Sequence, residues 1–150
     1  MSLEDRIKNL EDIEAIKRLK HRYCYDNDSN NGKAVRDMFT DDAVWDGGAQ
    51  FGVYKGDKEL TEFFATKAPY EFYVHAVLNP IIEVKGDEGT GIWYLIEPAT
   101  LENGQAVWIC GRYDEKYVRI GGRWKFKEIC VKSFFVTPFE KGWHKEQFIK

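Results

Sequence analysis

Three ionisable residues in this chain sit among apolar neighbours, and together they could move a proton to or from carbon. His75 shares its side of a strand-like stretch with Tyr73 and Val77. Glu97 shares its side of another with Trp93 and Leu95. Lys132 shares parity with Trp124, Phe126, Cys130 and Phe134, so period-two alternation puts a lysine on an aromatic face, where it must pair or work. A fourth polar group, Tyr23, Asp26, Asn27 and Asp28, ends an N-terminal amphipathic helix just where its apolar stripe stops. A lone strand histidine is more often a structural group. It becomes a general base when a carboxylate reaches its ring. Helical geometry puts Asp26 or Asn27 beside Tyr23, whereas Asp28 is turned roughly 140° from it on an ideal helix.

The elements that must carry these groups follow from spacing. Ile13, Ile16, Leu19 and Tyr23 fall within an arc of roughly 120°, which reads as a core-facing helix over Ile13–Asp28. Leu3, Ile7 and Leu10 form an offset stripe, from either one long helix or a short lead-in helix. After the SNNG stop, Lys33–Phe39 reads as a short helix. Ala43–Asp46 and Phe51–Tyr54 read as a hairpin about Gly47–Gly48. A helix capped by Asp57 and ended before Pro69 presents Leu60, Phe63 and Phe64. Four long strands then follow at Tyr73–Val84 (bent at Pro80), Thr90–Leu101 (broken near Pro98), Gln105–Ile120 and Arg123–Thr137, with a polar-aromatic tail at 138–150. Helices first and a meander after them predict an α+β fold. Its N-terminal helices pack on one face of a strongly curved, mostly antiparallel sheet. One domain over 1–150, with its core at roughly 10–137, is expected.

Composition narrows the chemistry. With 43% hydrophobic and 31% charged residues the chain reads as folded rather than disordered. The net charge is −3, and the one basic cluster, Arg123–Lys127, alternates with Trp124 and Phe126 as a strand would, so no nucleic-acid surface is expected. Cys24, Cys110 and Cys130 are odd in number and form no CxxC pair, which predicts free thiols rather than disulfides or zinc. No apolar run approaches the roughly 18–20 residues of a membrane span, and the N-terminal MSLEDRIKNLEDI has no signal-like core, so a cytoplasmic location is expected. There is no metal-ligand cluster, phosphate loop or nucleophile elbow, so no metal or cofactor is expected.

The order of elements, with RYCYDNDSNNGKAVRDMFTDDAVWDGG, VHAVLNP, TGIWYL and GRYDEKYVRIGGRWKFKEICVK, resembles the SnoaL-like branch of the nuclear-transport-factor-two-like superfamily. The resemblance covers roughly residues 10–137, and the pattern is nearest to the scytalone dehydratase and bile-acid 7α-dehydratase families. Those enzymes use a cone-shaped fold with a deep apolar pocket, and the resemblance implies the same cone-shaped, cystatin-like α+β roll for this chain. The bile-acid pattern has Tyr and Asp at the first helix's end, His on the first long strand, an acid after a WYL segment and a cation on the last strand. These fall on Tyr23, Asp28, His75, Glu97 and Lys132. Glu replaces that family's Asp and Lys its Arg, which changes reach and removes a bidentate fork.

The resemblance implies a dehydratase or isomerase-type lyase without cofactor, acting on a small apolar cyclic or aromatic hydroxy-carbonyl compound. Asp28 would orient His75 as general base, while Tyr23 and Lys132 would stabilise the oxygen that gains charge. The rivals are a non-catalytic ligand-binding module and a structural subunit. A small-molecule substrate and a homo-oligomer, dimer or trimer, are the expected partners. The edge strands and the FEKGWHKEQF tail offer aromatic surface for the oligomer.

Overall fold

A computed structural model describes all 150 residues. Helix α1 runs unbroken from Leu3 to Asp28. A capping box starts it, with Asp5 N–H donating to Ser2 Oγ at 3.0 Å and Ser2 N–H to the Asp5 carboxylate at 2.9 Å. Leu3, Ile7 and Leu10 stay exposed. The fully buried stripe is Ile16, Lys20, Tyr23 and Cys24, so a lysine holds a core position and Leu19 lies only partly buried.

Asn31 caps α2 (Gly32–Asp37) by accepting from Ala34 N–H. Strand β1 (Phe39–Asp46), the single turn α3 (Gly48–Phe51) and β2 (Val53–Lys55) follow. The expected hairpin forms, with Trp45 opposite Tyr54, but its loop holds that helical turn. Helix α4 spans Gly56–Ala65. Asp57 does not cap it. Lys55 is the cap residue, and the Asp57 carboxylate is drawn instead to Arg36, 2.5 Å away.

The expected first long strand is two, β3 (Tyr70–Tyr73) and β4 (Ala76–Lys85), and both pair with β5 (Glu88–Leu101). Strand β5 crosses Pro98 without a break. Pro98 C=O accepts from Val74 N–H, so that residue faces the gap between β3 and β4, where its missing N–H costs no ladder bond. Strands β6 (Ala106–Ile120) and β7 (Arg123–Pro138) complete the meander, and α5 (Gly142–Lys145) lies in the tail. The order is β2-β1-β7-β6-β5-β3, with β4 also on β5, and only β1 and β7 run parallel. The chain is thus α+β, with its first helix packed on a strongly curled sheet. None of its helices is long and apolar enough to cross a membrane.

Two register shifts decide what faces the interior. Tyr117 pairs with Phe126 but Lys116 with Glu128, which makes Lys127 an extra residue; Gly111 pairs with Ser133 but Cys110 with Phe135, which makes Phe134 another. Each bulge flips the alternation. Trp124 and Phe126 face inward, then Ile129 and Val131, then Val136. Lys132 is thereby turned outward, contrary to the unbroken alternation. Its side chain is 58% exposed, and Nζ meets Asp114 Oδ2 at 2.6 Å.

Candidate active site

The gap between β3 and β4 folds over the C-terminal end of α1 and brings a carboxylate to the histidine. His75 N–H donates to both Asp28 oxygens, at 3.1 and 3.2 Å, and His75 Nδ1 lies 2.6 Å from Asp28 Oδ1. Tyr73 Oη holds the same junction by donating to Asn27 C=O at 2.7 Å. Asp28 is the last residue of α1, so it meets His75 end-on and need not share the face of Tyr23. The acid preferred by the helical wheel, Asp26, is buried against Arg22 at 3.0 Å instead.

This arrangement fixes the ring's chemistry. Nδ1 faces a carboxylate that already accepts the backbone N–H, so Nδ1 carries the proton and donates. In the neutral ring Nε2 is then left with a free lone pair. Nε2 points at Glu97, 3.7 Å from Oε2. The His75 side chain is only 11% exposed. Burial pulls its pKa down, but the charge of Glu97 and the bond to Asp28 outweigh that, and the net direction is up from 6.5. Glu97 also rises from its ordinary value, because burial and Asp28 together exceed the pull of His75. Nε2 and Glu97 thus compete for one proton inside the fold.

Tyr23 stands beside the dyad, its ring centre 6.4 Å from that of His75 and its rim toward Phe126 and Tyr113. Its Oη accepts from Trp45 Nε1–H at 2.9 Å, and burial raises its pKa well above the ordinary phenol range, so it stays a neutral hydroxyl. Burial likewise pushes the Cys24 thiol up to about 11, which removes it as a nucleophile.

Of the five residues singled out in the sequence, four converge and Lys132 does not. A buried pair was missed. Lys20 Nζ lies 2.5 Å from Glu115 Oε1, and neither side chain is exposed. Tyr117 Oη donates to the other Glu115 oxygen and accepts from Trp93 Nε1–H at 3.1 Å. Lys20 also lies over the rings of Tyr113 and Tyr23, 3.3 and 4.4 Å from their centres. Gly91 makes room for this chain, since a Cβ there would stand 2.6 Å from Tyr117 Oη. The signals were present: Lys20 stands between Ile16 and Tyr23 at core spacing, and Glu115 between Tyr113 and Tyr117 at strand parity.

The wall beside the dyad is one rung of the sheet. Glu97 pairs with Ile109, Ile109 with Val136, and Val136 with Phe148 of the tail. The tail thus folds back along the part of β7 that lies beyond its pairing with β1, although Phe139 and Trp143 remain exposed. An open recess of about 720 Å³ lined by Thr40, Glu83, Thr90, Lys116 and Lys127 contains none of the four convergent residues. Tyr23 and Glu97 are buried, whereas His75 and Asp28 keep some exposure at the end of α1.

Comparison with known proteins gives a consistent picture. The SnoaL-like domain family matches residues 8–129. The type 2 LinA hexachlorocyclohexane dehydrochlorinase is 26% identical, with a TM-score of 0.81 over 92% of this chain and 93% of that chain. The LinA type 3 enzyme of Novosphingobium barchaimii LL02 is 25% identical, with a TM-score of 0.80 over 92% and 94%. A scytalone-dehydratase-like protein of Novosphingobium aromaticivorans DSM 12444 shares the fold at 19% identity, with a TM-score of 0.80 over 87% and 89%.

Proposed function

The chain belongs to the SnoaL-like family, and from that membership and the Asp28–His75–Glu97 contacts we propose a cofactor-independent lyase that eliminates HX from a small apolar cyclic compound. X is a hydroxyl on the carbon β to a carbonyl, or a halide. The observation that carries this reading is the 2.6 Å contact of Asp28 with His75 Nδ1, which leaves Nε2 as the base. His75 Nε2 takes a proton from carbon, the C–H electron pair becomes the double bond, and X leaves with its own bonding pair. Asp28 stabilises the imidazolium. When X leaves as water, the imidazolium of His75 returns its proton to the departing hydroxyl, and the charge of Glu97 steadies that imidazolium beforehand. Tyr23 donates to the oxygen on which charge develops. Named similarities to dehydrochlorinases and a dehydratase-like protein support the reaction class.

The test is a product assay with the purified protein. Incubation with 3-hydroxycyclohexanone should yield the enone, read by its ultraviolet absorbance, or incubation with hexachlorocyclohexane should release chloride. Turnover of neither substrate nor of close cyclic analogues counts against the elimination. A binding-only module is the second reading, in which Asp28 and His75 form only a satisfied, mostly buried pair. It predicts binding of the same compounds with no product.

The pH dependence follows from the raised His75 pKa. The base must be unprotonated, so kcat/KM should rise with pH along a limb centred above 6.5. Glu97 is the largest influence raising that pKa. Glu97→Gln should therefore move the limb to lower pH, read from kcat/KM profiles of both proteins. A limb that stays put or moves up would remove Glu97 from the pair.

A further inference from the structure

The bulge at Lys127 turns Lys132 outward, so the interior lacks the strand-β7 cation that the family pattern supplies. The residues on either side of Lys132 face inward instead. Val131 is buried, and Ser133 shares its parity. Ser133 Oγ is buried without any hydrogen-bond partner, a state shared in this chain only with Arg36 Nε. Unpaired buried hydroxyls weaken a fold, so one that persists calls for a reason. Ser133 pairs with Gly111, Gly111 with Leu95, and Leu95 with Val77, on the rung next to that of Glu97, Ile109 and Val136. Gly111 lets the β7 backbone approach closely at this rung, since a Cβ there would stand 2.6 Å from the Lys132 carbonyl oxygen.

We propose that Ser133 is a substrate-binding residue, whose hydroxyl donates to the electronegative atom that gains negative charge as His75 takes the proton. This rests on the elimination reading above. Ser133 and the histidine strand lie three strand spacings apart, about 14 Å along the sheet. The curl shortens that distance, and two side chains with a six-membered ring between them can bridge it. Ser133 has no base beside it to take its proton, so it stays a hydroxyl throughout and forms no covalent bond. When the substrate is bound, the hydroxyl gains the partner it lacks in the free protein.

This assignment gives opposite signs for stability and binding in one variant. Ser133→Ala removes an unpaired hydroxyl, so the melting temperature of the free protein should stay level or rise. The same variant should bind cyclohexanone, a minimal cyclic carbonyl, about tenfold more weakly by NMR titration, the value of one hydrogen bond. Ser133→Thr, which keeps a hydroxyl, should recover most of the affinity. A lower melting temperature for Ser133→Ala would mean that the hydroxyl has an internal partner, and would overturn the proposal. So would no binding of cyclohexanone by the unaltered protein, or equal binding by Ser133→Ala. His75→Ala separates the two readings. If it keeps turnover, the elimination mechanism falls, whereas the weakened binding of Ser133→Ala would still stand.

Discussion

His75→Ala is expected to lower kcat/KM for the elimination by about 10²–10⁴-fold, the usual contribution of a positioned general base. The variant should keep its circular dichroism spectrum and cooperative melting, because His75 lies at the gap between β3 and β4 and its backbone N–H still donates to Asp28. Asp28→Asn should cost nearly as much for a different reason. The backbone contact can survive through the amide oxygen, but the charge that steadies the imidazolium is gone. The amide can also donate to Nδ1, which then carries the lone pair instead of Nε2. The kinetic signature is a fall in kcat rather than a rise in KM, since Asp28 acts through His75 and not on the substrate. If both variants turned over substrate at the normal rate, the dyad would be a structural pair.

The second large effect is on stability, at the Lys20–Glu115 pair. Both side chains are fully buried, and both Glu115 oxygens are engaged, by Lys20 and by Tyr117. Lys20→Met alone leaves a buried carboxylate without its cation, and Glu115→Leu alone leaves a buried ammonium. Each should cost about 3–5 kcal/mol in urea unfolding, because the remaining charge must stay desolvated or drag water inward. The double variant should recover most of that loss, since apolar residues of similar size replace an ion pair at little net cost. Single variants within about 1 kcal/mol of the unaltered protein would mean that the pair is hydrated, contrary to its burial.

The two sites differ in how much the sequence disclosed, and the difference is physical. Helical and strand periodicities identify α1, the inward side of β5 and the inward parity of Tyr73, His75 and Val77, because burial alternates through those stretches as an unbroken pattern would. His75, Glu97 and Tyr23 were legible on that basis. Asp28 was not, since the wheel turns it away from Tyr23. What brings it in is the chain folding over the helix end, a tertiary event with no periodic signature. Lys132 was misplaced because Lys127 bulges out of β7, and one extra residue reverses the side chains from there to the second bulge at Phe134 while leaving the pattern of residue types unchanged. Lys20 and Glu115 stood in plain view at core positions, but each looked like a solvated charge until the other was found beside it. Pairing across elements far apart in sequence is what alternation alone cannot report.

The most direct measurement of the central claim is a ¹⁵N NMR titration of the His75 ring, which needs no substrate. The account predicts a neutral ring protonated at Nδ1, a free Nε2, and a titration midpoint above 6.5 that falls in Glu97→Gln. A neutral ring protonated at Nε2, or a midpoint below 6.5 that ignores Glu97, would contradict it.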